Sequence, residues 1–239
     1  MSETAQEPPG AKPKIGEVFA NPAAGATRRQ ARDSTTLYFP ATPAKVLYYI
    51  ESGQVRLYQI GPDNAARLVD ILGAGEWFGI AALAMAATYG GQAIVVSDSV
   101  LWELPAERLL ELISHQPQVA RELVVQLATQ LQSAHEAAAG LVFNDCNQRL
   151  IQTLVRFSRT AAATPQEGGG VVLHITHQQL AQAVGAARET VSLALTQLRQ
   201  RNLLRTGRNR LLFNPETLKQ FERRVEPSDP ANTTHPRPL

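Results

Sequence analysis

The sequence has little of what most enzymes, secreted proteins and membrane proteins require. Its 239 residues include a single cysteine, Cys146, which can form neither an internal disulfide nor a four-thiolate iron–sulfur site within one chain. No apolar run approaches the ~18 residues of a membrane span, and the N-terminal stretch lacks the apolar core of a secretory signal. We therefore expect a cytoplasmic protein without a membrane partner. Cys146 is expected to be a free structural thiol, with a redox role left open because it lies near a predicted hinge.

Motifs for catalysis and metal binding are also missing. The histidines do not pair at metal-ligand spacings such as HExxH, and His174 and His177 suit exposure or phosphate contact better than a metal. The chain has neither a glycine-rich phosphate loop with a lysine nor a serine elbow. We therefore predict a protein that is not an enzyme and that holds no metal or cofactor.

Charge is distributed unevenly along the chain. Residues 147–225 contain 12 Lys and Arg against 4 acids, whereas the rest contains 11 against 17. A basic C-terminal module on an otherwise acidic chain is typical of a domain that binds phosphates.

Residues 175–204, inside this basic module, have the pattern of two helices joined by a tight turn. Thr176 can cap the first helix, Gln179 completes a capping-box spacing, and Gly185 supplies the turn. The second helix is predicted to start near Arg188 and to turn three apolar side chains inward, at i, i+4 and i+7. These are Val191, Leu195 and Leu198.

The outward face of the second helix suits the DNA major groove. Arg188 can pair with guanine, Glu189 can accept from cytosine N4, and Ser192 lies beside them. An ordinary helical hairpin with surface charges would show the same spacing. DNA binding is favoured by residues 203–213, a strand–turn–strand pattern with three arginines around Gly207, as expected of a wing that lies along phosphates.

The stretch ITHQQLAQAVGAARETV, residues 175–191, is similar to the recognition motif of the Crp/Fnr superfamily of bacterial transcription factors. The resemblance covers about residues 35–222. It implies an α+β fold with an N-terminal cyclic-nucleotide-binding-like β-roll (a jelly roll), a long dimerisation helix and a C-terminal winged helix-turn-helix. It also implies phosphate contacts at seven positions, Thr176, His177, Gln178, Thr206, Gly207, Arg208 and Arg210.

The second helix departs from the family's Arg-Glu-x-x-x-Arg pattern. Leu193 stands at the last position and cannot hydrogen-bond a base edge. Ser192 matches the serine of fumarate–nitrate regulators, and Ala187 replaces the usual polar cap. We therefore expect a near-palindromic site that differs from either family consensus.

Short strands with glycine turns between residues 35 and 104 predict an all-β barrel or roll. We predict a turn at residues 51–53 and strands over residues 37–39, 46–50, 55–60, 67–72, 93–96 and 100–104. The GEWFG stretch, residues 75–79, adds to the resemblance to the cyclic-nucleotide-binding roll.

The residues that would hold a cyclic nucleotide are replaced. By the resemblance, Ile80 stands where a Glu takes the ribose hydroxyl, and Gly91 and Gln92 stand where Arg and Ser or Thr hold the phosphate. We therefore expect no cyclic AMP dependence. Gly90 and Gly91 could form a backbone anion nest, lined by Tyr89 and Gln92, for another phosphorylated ligand. A haem, gas or redox sensor and an unliganded roll with a filled interior are the alternatives.

A long helix is predicted from about residue 118 to 141, with an apolar stripe at alternating +3 and +4 spacing. The stripe consists of Val124, Leu127, Leu131, Ala134, Ala138 and Leu141. It favours a two-stranded parallel coiled coil, although a helix docked on its own domain would show it too. The family uses this helix as its dimer interface, so both arguments predict a homodimer.

The expected organisation follows from these segments. Asp145 can cap the first helix of the C-terminal domain, with Gln148 at the capping-box position. The predicted parts are a mostly flexible tail (1–30), a β-roll sensor (31–116), a dimerisation helix with hinge (117–144), a winged helix-turn-helix (145–225) and a disordered end (226–239). Within the tail, part of residues 16–19 is expected to pack on the first domain.

The expected partners are double-stranded DNA, a second copy of the chain and, by the resemblance alone, RNA polymerase at the loop of residues 160–170. A competing hypothesis is a ligand-binding or interaction module whose basic domain contacts an acidic protein.

Overall fold

The computed structural model describes residues 15–84 and 87–224, which divide into two compact units. The first unit runs to Phe143 and includes residues 160–162, and the second contains residues 144–159 and the chain from residue 163. The predicted disordered end at 226–239 lies outside the described residues.

The described residues of the first unit are built on one antiparallel sheet of six strands. Strand β6 pairs with β1, β2 and β3, and β3 also pairs with β4 and β5. Its elements are α1 (Ile15–Phe19), β1 (Thr27–Ala31), β2 (Thr36–Tyr38), β3 (Val46–Ile60), β4 (Ala66–Gly73), β5 (Trp77–Phe78), β6 (Gly91–Pro105), α2 (Ala106–His115) and α3 (Pro117–Phe143).

Two long strands replace four predicted short ones. Strand β3 continues through residues 51–53, so the predicted turn there is wrong, and β6 joins the strands predicted at 93–96 and 100–104. The pairing of β3 with β6 changes register around Gly53, whose φ is +96°. A Cβ on Gly53 would lie 2.0 Å from Ser99 Oγ. The glycine therefore marks an irregularity inside a strand, where two backbones approach closely.

The expectation of a flexible tail is wrong for residues 20–30, whereas the expected packing of part of residues 16–19 on the first domain is confirmed. Helix α1 places Phe19 fully inside the first unit, stacked on Trp77 at 5.7 Å between ring centroids. Strand β1 is polar and carries no alternating apolar pattern, which is why sequence reasoning missed it. Pairing with β6 and an ion pair of 2.7 Å between Arg29 and Glu103 stabilise it.

Helix α3 carries both buried and exposed apolar side chains. Val119 and Leu123 are buried against the core of the first unit, and Leu127 is partly buried there too. Val124 and Leu131, three residues before and four residues after Leu127 on the same stripe, are 64% and 57% exposed. Ala134 and Ala138 are also exposed, and the Leu141 side chain is outside the description. The predicted stripe is therefore divided, because Leu127 packs on its own unit.

The described part of the second unit combines four α-helices with an antiparallel sheet in the order β7-β8-β10-β9. Asp145 and Gln148 form the predicted capping box at the start of the first helix. The loop expected at residues 160–170 contains a short strand and a helical turn. The elements are α4 (Cys146–Phe157), β7 (Thr164–Pro165), β8 (Val171–Leu173), α5 (His177–Val184), α6 (Arg188–Gln200), β9 (Leu204–Gly207), β10 (Arg210–Phe213) and α7 (Pro215–Arg224).

Candidate nucleic-acid interface

The two helices α5 and α6 meet through a turn that local chemistry defines. Thr176 Oγ1 accepts from the Gln179 backbone N–H at 3.2 Å, and Gln179 Oε1 accepts from the Thr176 N–H at 3.0 Å. Gly185 ends α5 with a φ of +71°, and its N–H donates to Ala181 O at 2.9 Å. This confirms the capping box and the glycine turn that the sequence predicts, and it fixes where α6 begins.

Helix α6 buries one face and leaves the other in solvent. Val191, Leu195 and Leu198 are at most 4% exposed, as predicted. Arg188 and Glu189 are exposed in its first turn, and none of the ion pairs among the described residues involves either. Both are therefore available for an external partner.

Ser192 lies on the same outward side of α6 but already has a partner. Its Oγ is 3.0 Å from Nδ1 of His177, the first residue of α5. Both side chains are partly buried. A hydroxyl group can donate once and accept twice, so Ser192 keeps hydrogen-bonding capacity for a base. The contact links a predicted phosphate contact with a predicted base contact.

The wing is a hairpin with exposed arginines. Strands β9 and β10 pair from Gly207 with Arg210, which leaves Arg208 and Asn209 as the turn. Arg205, Arg208 and Arg210 are exposed, as is Gly207. The Asn209 carbonyl accepts from the Ile175 N–H at 3.1 Å. The tip of the wing is therefore held beside the residues that begin α5.

The remaining predicted phosphate contacts differ in their exposure and in the hydrogen bonds that they already make. Gln178 is exposed, and Thr206 is partly buried. The Thr176 hydroxyl is used within the cap, where it also approaches Gln179 Oε1 at 3.1 Å. A phosphate contact by Thr176 would therefore compete with the cap of α5.

The predicted effector pocket of the β-roll is occupied by aromatic rings. Tyr89 is 4% exposed and stacks on Tyr38 with ring centroids 3.8 Å apart. Its Oη donates to Val46 O at 2.5 Å. Tyr48 and Phe78 stack beside this pair at 5.0 Å. Burial raises the pKa of Tyr38 and Tyr48 well above the usual range, so both phenols stay neutral.

The two glycines of this site differ in their surroundings, and only Gly91 lies in a strand pairing. A Cβ on Gly91 would lie 2.1 Å from Tyr58 O, so no side chain fits there. The Gly90 carbonyl accepts from Gln59 Nε2 at 2.6 Å. Neither of these two described glycines has a positive φ. An anion nest needs alternating right- and left-handed residues, so the expected nest is not formed.

Ile80 and Gln92 are the other two positions of the site. Ile80 begins a 3-10 turn, Ile80–Leu83, and is 41% exposed. Gln92 is partly buried, and its Nε2 lies 3.4 Å from Thr36 Oγ1. Sequence reasoning missed the contribution of Tyr38, Tyr48 and Phe78 to this site, because their contacts join separate strands.

Cys146 and the described acidic and histidine side chains bear on the redox and metal alternatives. Cys146 is partly buried, and burial is the main cause that raises the pKa of its thiol above the usual range. A raised pKa leaves little of the reactive thiolate at neutral pH. Residues 15–84 and 87–224 contain no group of three His, Cys, Asp or Glu arranged to hold a metal. No helix within those ranges is long and apolar enough to cross a membrane.

Comparison with known families finds two matches, one in each half of the chain. Residues 28–116 match the cyclic nucleotide-binding domain, and residues 148–221 match the Crp-like helix-turn-helix domain. These ranges contain the aromatic-filled roll and the helix pair with its wing, respectively.

Individual proteins are similar over most of their length. The chain is 31% identical over 180 residues to the cyclic AMP receptor protein of Thermus thermophilus, which covers 75% of this chain and 80% of the relative. It is 28% identical to a CRP-like cAMP-activated global transcriptional regulator of Mycobacterium tuberculosis, over 79% of this chain and 84% of the relative. Among solved structures, the c-di-GMP responsive regulator CLP of Xanthomonas campestris aligns with a TM-score of 0.67 and 26% identity, over 80% and 95% of the two chains.

Proposed function

Because this chain belongs to the Crp/Fnr family of DNA-binding transcriptional regulators, we propose that it reads a near-palindromic DNA site as a homodimer, through Arg188 and Glu189, and without cyclic AMP. The observation that carries this proposal is the first turn of α6. Arg188 and Glu189 are exposed there with no ion pair among the described residues. The buried side of the same helix, Val191 to Leu198, fixes the direction in which they point.

Each of the two residues has a natural partner in the major groove. The Arg188 guanidinium can donate two hydrogen bonds to guanine O6 and N7, and the Glu189 carboxylate can accept from cytosine N4. The exposed arginines of the wing, Arg205, Arg208 and Arg210, supply phosphate contacts that carry no sequence information. This division supports base reading by α6 and positioning by the wing.

A homodimer explains the apolar side of α3 that faces away from its own unit. Val124 and Leu131 are more than half exposed on that side. Pairing with a second copy would remove them from water, and two recognition helices would then read half-sites about one helical turn apart. An RNA polymerase contact at residues 160–170 stays a prediction that rests on family resemblance.

Selection from a random duplex library tests the DNA-binding proposal. We expect the purified protein to enrich a near-palindrome, with a specific affinity about 10³-fold or more above that for random duplex. Binding should weaken steeply with salt. A protein that enriches no sequence and binds acidic proteins instead would overturn the proposal.

The proposal that the protein acts without cyclic AMP depends on the residues at the positions that would bind the nucleotide and on the aromatic rings inside the roll. Gly91 has no room for an arginine, and Ile80 cannot accept a hydrogen bond from a ribose hydroxyl. Charge-assisted hydrogen bonds contribute roughly 1.5–3 kcal/mol each, so losing two weakens such a site by about 10²- to 10⁴-fold. The tyrosine stack adds to this, because it occupies the interior. Activity would then be set by the abundance of the protein.

Calorimetry with cyclic AMP and cyclic GMP, beside DNA binding with and without each, tests this part. We expect no micromolar binding and unchanged DNA affinity. Micromolar binding with a tenfold gain in DNA affinity would overturn it. Absorbance near the Soret band in freshly purified protein would instead favour a haem sensor.

A further inference from the structure

Leu193 is unusual among the residues of α6, all of which the structure describes. Its side chain is 61% exposed, whereas Val191, Leu195 and Leu198 are at most 4% exposed. Single exposed leucines are ordinary on protein surfaces and need no explanation of their own. This leucine, however, lies within the surface of α6 that we propose reads bases, so its side chain can affect the base preference.

Leu193 lies one helical turn beyond Glu189 on the outward side of α6. The two residues are four apart, so they lie on one side of the helix, about 6 Å apart along its axis. Successive base pairs are about 3.4 Å apart. A helix that brings Glu189 to a base edge therefore brings Leu193 to an edge one or two base pairs away.

The chemistry of the groove restricts what can lie against this side chain. Leucine offers no hydrogen-bond donor or acceptor, so it would leave a polar base edge without a partner, which is costly when water is excluded. The major groove presents one apolar group, the C5-methyl of thymine. The surrounding side chains Glu189, Thr190 and Gln197 are polar and exposed, so the apolar surface is too small to dock a protein.

We infer that Leu193 is a specificity-determining residue, which contacts a thymine methyl group in each half-site of the DNA. This inference rests on the proposed function and adds to it a base preference that Arg188 and Glu189 do not supply. The protein should favour a thymine at the position where an arginine would favour a guanine.

The decisive probe is the methyl group itself. Thymine and uracil differ by that methyl and share their hydrogen-bonding edge. In the duplex selected by the wild-type protein, each thymine is replaced in turn by uracil, in both half-sites together. Affinity is measured by fluorescence anisotropy at fixed salt. One buried methyl corresponds to about a fourfold loss per half-site, or ~0.8 kcal/mol, and to about 15-fold for the dimer.

Two variants identify the residue responsible. Leu193→Ala removes the side-chain atoms beyond Cβ at an exposed position and should make the protein insensitive to the uracil exchange, because the shortened side chain no longer reaches the thymine methyl. Leu193→Met keeps an apolar side chain and should retain part of the sensitivity. Leu110→Ala removes the same atoms from a residue of α2 that is 49% exposed, and should leave the uracil profile unchanged.

A further duplex tests the methyl in isolation. Cytosine placed at the sensitive position should weaken binding, and 5-methylcytosine should restore part of the affinity for the wild type but not for Leu193→Ala. The inference is overturned if no thymine of the selected site is sensitive, or if the sensitivity survives in Leu193→Ala. A wild-type protein that selects no sequence would overturn the proposed function itself, so the two failures are distinguishable.

Discussion

Nδ1 of His177 lies 3.0 Å from Oγ of Ser192 and thereby joins the start of α5 to the outward face of α6. Fifteen positions separate the two residues in the sequence, and the Gly185 turn brings them together. The family resemblance assigns His177 to a phosphate and Ser192 to a base. Their contact means that the two assignments are not independent.

The first prediction concerns the coupling between these two residues. We expect His177→Ala and Ser192→Ala each to destabilise the helix pair. The loss of stability in the double variant should be smaller than the sum of the two single losses, by about 0.5–1.5 kcal/mol, because the same hydrogen bond is lost in each case. Hydrogen–deuterium exchange of the α5 and α6 amides measures this locally. Strictly additive effects would mean that the contact contributes nothing to stability.

The second prediction concerns Glu189. Glu189→Ala should relax the preference at one base pair of each half-site, by roughly 1–3 kcal/mol, because the carboxylate no longer accepts from a cytosine. Library selection with both proteins gives the two preference profiles. Glu167→Ala serves as the control, since Glu167 is an exposed acid of the second unit outside α6. Identical profiles for Glu189→Ala and the wild type would remove Glu189 from base reading.

The third prediction concerns Arg208 in the turn of the wing. Arg208→Ala should weaken binding to all sequences alike and reduce the salt slope by about 1, because a phosphate contact is lost. Arg67→Ala removes the same charge from an exposed position of the first unit and should change neither quantity. A changed base preference in Arg208→Ala would show that the wing reads bases.

Local signals in the sequence predict the helix pair well, because its geometry depends on neighbours. Thr176 with Gln179, and Gly185, act within one turn of chain and occur where their residue types indicate. The β-roll depends on distant partners. Ser99 leaves no room for a side chain at position 53, where the chain has a glycine, and the ring of Tyr89 packs on Tyr38. Such contacts cannot be deduced from periodicity, so the continuous strands and the filled interior appear only in the structure.

The candidate site also has one part that the sequence predicts and one part that only the structure shows. Arg188 and Glu189 are exposed at the start of α6, and that exposure follows from the apolar spacing of the helix. The stripe on α3 contains both partly buried and exposed residues, and only the structure assigns Leu127 to the core of its own unit. A heptad count cannot distinguish a residue packed on its own unit from one left exposed.

The fourth prediction is the loss of dimerisation on changing the outward side of α3. Val124→Asp with Leu131→Asp should give a monomer by light scattering, because charges would be buried in the pairing surface. The monomer should keep weak half-site binding and lose high affinity for the palindrome. Leu127 is avoided, since its substitution would also disturb the core of the first unit. Leu110→Asp, at another exposed leucine, is the control, and a double variant that stays dimeric would contradict the prediction.

The last prediction concerns the two neighbouring glycines of the roll, which differ in the space around them. A Cβ on Gly91 would meet Tyr58 O at 2.1 Å, whereas the nearest atom to a Cβ on Gly90 is Gln59 Nε2 at 3.8 Å. Gly91→Ala should therefore destabilise the first unit by about 1–3 kcal/mol, because the strand pairing must open to admit the methyl group. Gly90→Ala should stay within about 0.5 kcal/mol of the wild type.

Both tryptophans of the chain, Trp77 and Trp102, belong to the first unit, so their fluorescence during urea unfolding reports on it selectively. The comparison bears directly on the effector. If Gly91→Ala is as stable as Gly90→Ala, the strands can separate at this position and an arginine could be accommodated there. If it is destabilised as expected, even Ile80→Glu with Gly91→Arg cannot rebuild a cyclic nucleotide site, because the backbone carbonyl of Tyr58 occupies the space in which the arginine side chain would have to start.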